Sequence, residues 1–444
     1  MLLRKLGLLL SLVLATAAVS ESFAADAVRF IQVSAKTRED RTQLSNLGMS
    51  IEAIRTDAVW GFVSPSVLDR IEKSNHKILG NFDMTVARGG HQAGFLDFPP
   101  QDSRFHNYDR VVASLNSIHS LNADITTLQS IGKSTEGRDL WALHINTNPE
   151  ALKTGTSNKP GVIFMGTHHA REHVSTEIPL MLAEYLLKNR GDDKMGKLID
   201  SRDIWIIPLV NPDGSEHDVK TGDYQFWRKN RRPNTDGTMG VDLNRNYGFK
   251  WGTGGSSNDG SSDVYMGTAP FSEPETEAIR DFVKSKSNTK VLLSFHTFSE
   301  LILYPWGHTY DKVGEHLGKT QDHDVFVKMA ETMAQWNHYT PEQSSALYIA
   351  SGDTTDWAYG ELGIFAFTFE LSPSQWSGAG GFYPGQGIID QVFNDNLKPC
   401  MYLIDTADNP YKVIANQPSR WLKHIIEPSV PSSFLPITTS GRNY

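Results

Sequence analysis

The sequence predicts two folded units: an α/β domain with a mixed sheet and helices on both faces, preceded by a small ferredoxin-like α+β unit. Three observations support this. Over residues 103–405 short continuous apolar runs alternate with helical periods. Within residues 25–80 the local patterns follow the order βαββαβ. A breaker-rich stretch, 81–102, separates the two as a linker.

In the smaller unit, Val28–Val33 reads as a strand and Arg38–Leu47 as a short polar helix. Ile51–Ile54 and Val59–Val63 follow as strands. Ser66–Ser74 reads as a second helix with Ser66 and Asp69 as capping residues, and His76–Leu79 as a closing strand. No cluster of histidines and carboxylates that could do chemistry falls here. The linker holds Ala87-Arg88-Gly89-Gly90-His91 and Pro99-Pro100-Gln101-Asp102, and Arg88 before two glycines is an exposed basic site of the kind proteases cut.

In the larger unit the runs are Leu140–Ile145, Val162–Met165, Ile204–Val210, Val291–Phe295 and Ile364–Phe369. They lack strict alternation, as strands buried on both faces do. Thr176–Leu187 carries Ile178, Leu182, Tyr185 and Leu186 on one helical face. Ser272 and Glu275 read as a capping box before a helix with Ile279, Phe282 and Val283 on one side. An active site is expected at strand ends in such a sheet. Residues 406–444 read as a Pro- and Ser-containing tail.

The N-terminus has Arg4 and Lys5 before an apolar stretch, Leu6 to Val19, and then Ser22-Phe23-Ala24. This predicts a signal peptide over residues 1–24 and a secreted product, extracellular or periplasmic. The 444 residues are 39% apolar and 21% charged, which suits a globular chain with a large core. Acidic residues outnumber basic ones 51 to 42, for a net charge of −9, which argues against nucleic-acid partners. The single cysteine, Cys400, excludes an intramolecular disulfide and any zinc site built on several cysteines. With no 18-residue apolar run beyond the N-terminus, no stable membrane association is expected, and the chain is expected to act as a monomer.

Candidate chemical residues cluster at strand ends. Val162–Met165 runs into Gly166-Thr167-His168-His169-Ala170-Arg171-Glu172. His169 and Glu172, three apart on a turn, can share one metal ion, although such pairs also arise by chance. His296 directly follows Val291–Phe295. Two imidazoles and a carboxylate would leave a tetrahedral zinc one open position, whereas His296 alone reads as a hydrogen-bonded histidine at the sheet edge. Between these lie Trp227-Arg228-Lys229-Asn230-Arg231-Arg232 and Asp242-Leu243-Asn244-Arg245-Asn246, which read either as a carboxylate-binding cluster or as a solvated loop. Glu370 ends the apolar strand Ile364–Phe369, where burying a charge is costly; near a metal it would suit a general base. Tyr348-Ile349-Ala350-Ser351-Gly352-Asp353 has the look of a lid.

In order and spacing these residues resemble the M14 family of zinc carboxypeptidases, in the carboxypeptidase A/T-like manner of secreted bacterial precursors, over nearly the whole of residues 103–405. The resemblance implies a zinc carboxypeptidase fold and the release of the C-terminal residue from peptide or protein substrates with a free C-terminus. It makes His169, Glu172 and His296 the zinc ligands, with Asp242 orienting the first histidine. Arg171 would line substrate subsites and Arg228 would hold the oxyanion. Asn244 and Arg245 would clamp the terminal carboxylate, Tyr348 would close over it, and Glu370 would be the general base. The resemblance also makes the βαββαβ unit a pro-domain, either inhibitory until the linker is cut or retained as a folding aid. Thr355 matches the pocket-floor position; it is neither apolar nor acidic, but Asp353 lies two residues away, and acceptance of both apolar and basic C-terminal residues is expected. Rival readings are weaker. A catalytically silent module would have lost Glu370 or a ligand, and a cell-wall peptidase would have altered Asn244-Arg245. Gly314 with Gly318-Lys319-Thr320 falls one residue short of a P-loop.

Overall fold

A computed structural model describes residues 28–83, 98–314, 319, 321–374 and 381–415. The expected signal peptide, the Arg88 region and the tail from 416 lie outside the described residues. Alternating residues build the first unit: β1 (Arg29–Ser34), α1 (Arg38–Asn46), β2 (Ser50–Ile54), β3 (Ala58–Val63), α2 (Pro65–Glu72) and β4 (Ile78–Asp83). The strands pair antiparallel in the order β2-β3-β1-β4. One face sends Ile31, Val33 and Val59 against Leu44 of α1 and Val67 and Ile71 of α2. The other sends Phe30 and Phe62 against Phe226, Phe298, Phe382 and Tyr383 of the larger unit. Both faces of the small sheet are thus covered, one by its own helices and one by the neighbouring unit.

Helix ends differ from expectation. The N-cap of α2 is Ser64, whose hydroxyl accepts from Val67 N, followed by Pro65 at the first helical position. Ser66 instead donates to Asp259, and Asp69 pairs with Lys73. Thr37 and Asp40 form a capping box on α1. Strand β4 also extends to Asp83, into the stretch expected as linker, while Phe98 and Asp102 at its far end are buried in the larger unit.

That unit comprises α3 (Tyr108–Leu121), β5 (Thr126–Lys133), β6 (Asp139–Ile145), α4 (Pro149–Thr154), β7 (Gly161–Gly166), α5 (Val174–Lys188), α6 (Asp193–Asp200), β8 (Asp203–Ile207) and α7 (Pro212–Val219). It continues through α8 (Pro274–Ser285), β9 (Thr289–Thr297), β10 (Leu301–Tyr304), α9 (Gln321–Asn337), β11 (Thr340–Gln343), α10 (Thr354–Leu362), β12 (Phe365–Leu371) and α11 (Ile389–Thr406). The sheet order is β11-β10-β12-β9-β7-β8-β6-β5. The central strands β12, β9, β7 and β8 are parallel, and antiparallel pairs flank them. One face packs Phe164, Leu293, Phe295 and Phe367 against α3, α5, α9 and α11; the other packs Ile163, Trp205, Leu292 and Ala366 against α8 and α10. This is the mixed sheet with helices on both faces that the apolar runs predict.

The capping box expected before α8 does not form. Glu273 is the N-cap residue, without a side-chain cap hydrogen bond, and Pro274 opens the helix. The Ser272 hydroxyl meets Glu273 and Asn246, while Glu275 accepts from Thr135 N and Asn230 Nδ2. Past α11, Tyr411 reaches back to Asp322 through its hydroxyl, so the start of the expected tail is packed on the larger unit. Among the described residues no helix is long and apolar enough to cross a membrane.

Candidate active site

The parallel strands β7, β9 and β12 deliver their C-terminal ends to one edge of the sheet. Gly166 ends β7; a Cβ there would lie 2.0 Å from the Ser175 carbonyl oxygen, so only glycine lets α5 close onto the strand. The turn between them carries His169 and Glu172. On β9, His296 pairs in register with Glu370 of β12, which sets the candidate base beside a candidate ligand on the next strand.

His169 Nδ1 lies 2.7 Å from Glu172 Oε1, His296 Nδ1 lies 3.0 Å from Glu172 Oε2, and the two Nδ1 atoms are 3.1 Å apart. All three residues are buried, and their ligand atoms fall within 4.8 Å of one another. Each histidine is oriented through its other nitrogen. His169 Nε2 meets Asp242 Oδ1 at 3.1 Å, and His296 Nε2 meets Ser294 Oγ at 3.1 Å. Protons on the Nε2 atoms leave both Nδ1 lone pairs converging on one point, the donor set of a zinc site. Burial lowers the His296 pKa and favours the neutral ligand form. Burial opposes charge on Glu172, but the two histidines outweigh it and hold the carboxylate below its usual range.

Asp242 joins this group to the cationic one. Its Oδ2 accepts from Arg228 Nε and Nη2, each at 3.0 Å, and its Oδ1 also accepts from Asn244 N at 2.9 Å. Burial opposes charge on Arg228, yet Asp242, Glu52 and Glu172 outweigh it and keep the guanidinium cationic. Asn244 Oδ1 accepts from Thr354 N and Oγ1, which turns its amide nitrogen the other way. Arg245 commits Nε to Gly255 O and Nη1 to Asn244 O, which leaves Nη2 as its donor toward the cavity. Burial, then the Glu172 charge, push the Glu370 carboxyl well above its usual range; a dication on Glu172 would offset that repulsion.

A cavity of about 420 Å³ is lined by His169, Glu172, Arg228, Asn244, Arg245, Tyr348, Asp353, Thr355 and Glu370. His296 and Asp242 sit behind it, nearly or fully inaccessible. Arg171, expected on a substrate subsite, is fully buried instead. It is sandwiched between the Phe62 and Phe382 rings, at 4.6 and 4.5 Å, and bonds Glu52 Oε1 at 2.6 Å and Asp263 Oδ2 at 2.9 Å. Both its Nη atoms are engaged, and it is not among the residues that line the cavity. The start of the Tyr348–Asp353 stretch read as a lid, with the two residues before it, is clamped by the small unit: Arg41 donates to Leu347 O and Ala346 O, and Thr42 Oγ1 accepts from Ile349 N. Tyr348 packs against the small unit's core.

Three groups of contributors escape the sequence reading. Ser294, a polar residue inside an apolar run two before His296, was a signal that could have been used. Glu52 and its β2 neighbours Ile51, Ala53 and Ile54 line the cavity from the small unit, and nothing local marks them. His308 and Asp356, behind the pocket, are equally silent.

Convergent imidazoles and a carboxylate at the C-terminal edge of parallel strands, beside buried arginines, make up the kind of site found in zinc hydrolases. The zinc carboxypeptidase family model matches residues 111–399. A zinc carboxypeptidase of Saccharothrix mutabilis subsp. capreolus is 35% identical over 81% of this chain and 84% of its own. Carboxypeptidase B of Astacus astacus is 32% identical over 60% of this chain and 86% of its own. The fold also matches the carboxypeptidase A crystal structure from Helicoverpa armigera, with TM-score 0.68 and 24% identity over 88% of this chain and 99% of that one. The chain belongs to the M14 family of zinc carboxypeptidases, with zinc as its metal and peptides as its substrates.

Proposed function

We propose that this chain is made as a secreted precursor whose small N-terminal unit covers the site, and that the freed enzyme removes both apolar and basic C-terminal residues. The observation that carries the reading is the cavity itself: it joins His169 and Glu172 to Asn244 and Arg245, and residues of β2 in the small unit line it as well.

His169, Glu172 and His296 would hold the zinc, which would supply a Lewis acid and lower the pKa of a water at the site. Arg245 and the amide of Asn244 hold the substrate's terminal carboxylate, which restricts the reaction to chain ends. Tyr348 closes over that carboxylate once the small unit no longer engages it. Glu370 takes the proton of the attacking water and passes it to the leaving amine. Arg228, fixed by Asp242, faces the developing oxyanion. Thr355 and Asp353, which line the same cavity, meet the C-terminal side chain; the Thr355 hydroxyl donates to Asp353 Oδ1 at 2.6 Å.

Glu370→Gln tests the core of this reading. Zinc content is expected to stay at one per chain while kcat falls by a factor of about 10²–10⁴. Retained activity with normal zinc content would reject Glu370 as the base.

A further inference from the structure

Behind the candidate ligands a hydrogen-bonded line of buried groups runs from the start of α10 to His296. Asn244 Oδ1 accepts from Thr354 N at 2.9 Å and from Thr354 Oγ1 at 2.9 Å. Thr354 Oγ1 lies 3.1 Å from His168 Nε2, His168 Nδ1 lies 3.2 Å from Ser294 Oγ, and Ser294 Oγ lies 3.1 Å from His296 Nε2. His168 is fully buried, and its ring stacks on that of His296 with centroids 5.5 Å apart and planes 12° from parallel. Tyr247 Oη also meets His168 Nε2, at 2.8 Å. None of the groups bonded to His168 is a carboxylate, so burial keeps the ring neutral, with one proton to place.

The direction of the line follows from its one fixed donor. A backbone N–H can only donate and an amide oxygen can only accept. Thr354 N therefore fixes Asn244 Oδ1 beside it, and the Thr354 hydroxyl gives its single hydrogen to the same oxygen. Thr354 Oγ1 can then only accept from His168, which puts the ring proton on Nε2 and leaves Nδ1 bare. Ser294 must donate to that Nδ1, and so it accepts from His296 Nε2. A proton on His296 Nε2 frees its Nδ1 for the metal. In the reverse order Tyr247 donates to His168 Nε2. The Thr354 oxygen then faces an imidazole lone pair, and the His296 proton moves to Nδ1, where it blocks a metal. We propose that His168 is a positioning residue: it carries proton order from Thr354 through Ser294 and holds His296 in its metal-binding tautomer. This rests on the role of His296 as a zinc ligand proposed above.

The test is zinc affinity, measured on the full chain by competition with a chelator. NMR spectra of the zinc-free chain with labelled histidine rings report which nitrogen of His296 bears the proton. In His168→Phe the Ser294 hydroxyl loses its acceptor and turns to His296 Nε2, which moves the proton to Nδ1. Zinc binding must reverse this, and affinity is expected to fall by about tenfold, as on loss of an orienting partner. His168→Asn places an amide oxygen near the former Nδ1 and should recover most of the affinity. His168→Gln carries its amide at the Nε2 end and should not. A purely structural role would not produce that order. Thr354→Val removes the hydroxyl with little change of shape and serves should the ring variants not fold; zinc affinity should fall severalfold, with the His296 proton shared between its two nitrogens. His296→Ala separates the two levels of the argument. If it leaves zinc affinity unchanged, the ligand reading fails. If it abolishes zinc binding while the His168 and Thr354 variants stay within twofold of wild type and keep the His296 proton on Nε2, the role of His168 alone is overturned.

Discussion

Replacing Asp242 with asparagine keeps the shape of a residue that touches both halves of the site, and its cost can be worked from the hydrogen bonds. Oδ1 accepts from His169 Nε2 and Asn244 N, while Oδ2 accepts from Arg228 Nε and Nη2. An amide can serve only one of these sides. With its NH2 toward Arg228, donors face donors, and a buried guanidinium loses its closest counter-charge. With its NH2 toward His169, the imidazole must accept at Nε2, so its proton moves to Nδ1 and blocks the atom that would ligate zinc. Either rotamer damages one half of the site, and the one that keeps Arg228 bound weakens the metal half. Loss of such an orienting partner lowers metal affinity by about 10–100-fold, or about 1.4–2.7 kcal/mol. The assay is competition for zinc against a chelator of known affinity, with kcat measured at saturating zinc. At saturation kcat should remain depressed, because Arg228 is no longer held toward the oxyanion. Zinc affinity within twofold of wild type, with normal kcat, would refute this account of Asp242.

Two further outcomes concern the small unit. Glu52→Ala removes the partner that Arg171 meets at 2.6 Å but leaves it Asp263, so the hold of the unit should weaken by about 1–3 kcal/mol, the cost of one lost charged hydrogen bond. Activity of the uncut chain on a small peptide should then rise at least fivefold, and an unchanged uncut activity would reject Glu52 as part of the cover. Asp259 bridges the units by accepting from Ser66 Oγ and pairing with Arg70. Burial opposes its charge, but hydrogen bonds from Ser261 and Ser66 outweigh this and bring its pKa down to about 2. A depressed carboxylate stabilises above its unfolded value near 4 and loses that contribution as pH falls toward 2. Thermal unfolding from pH 6 to 2 should show a steeper acid loss in wild type than in Asp259→Asn, and parallel curves would count against the bridge.

The candidate ligands and base were legible because they lie at or just past the ends of buried apolar runs, where a charged or imidazole side chain demands a reason, whereas the arginines were legible only as a local basic cluster. Glu370 is the clearest case, set at the end of the run from Ile364. The helix caps were less legible. Ser272 and Glu275 have the right spacing for a box, yet Asn246, Thr135 and Asn230 compete for their side chains, and these partners lie 26 to 140 residues away in sequence. Arg171 shows the same limit: its position in the ligand motif points to substrate, while Phe62, Phe382 and Glu52 enclose it.

The sequence by itself determined the five apolar runs at the centre of the sheet and the types and order of the residues near their ends, since periodicity and the cost of buried charge are local properties; it missed β5, β10 and β11 and ran β8 on to Val210 instead of Ile207. Only the tertiary structure decided which nitrogen of each histidine faces the metal point, and that β2 of another unit lines the cavity. Those outcomes depend on contacts between segments far apart in the chain, and the free energy that selects them exists only once both segments are packed.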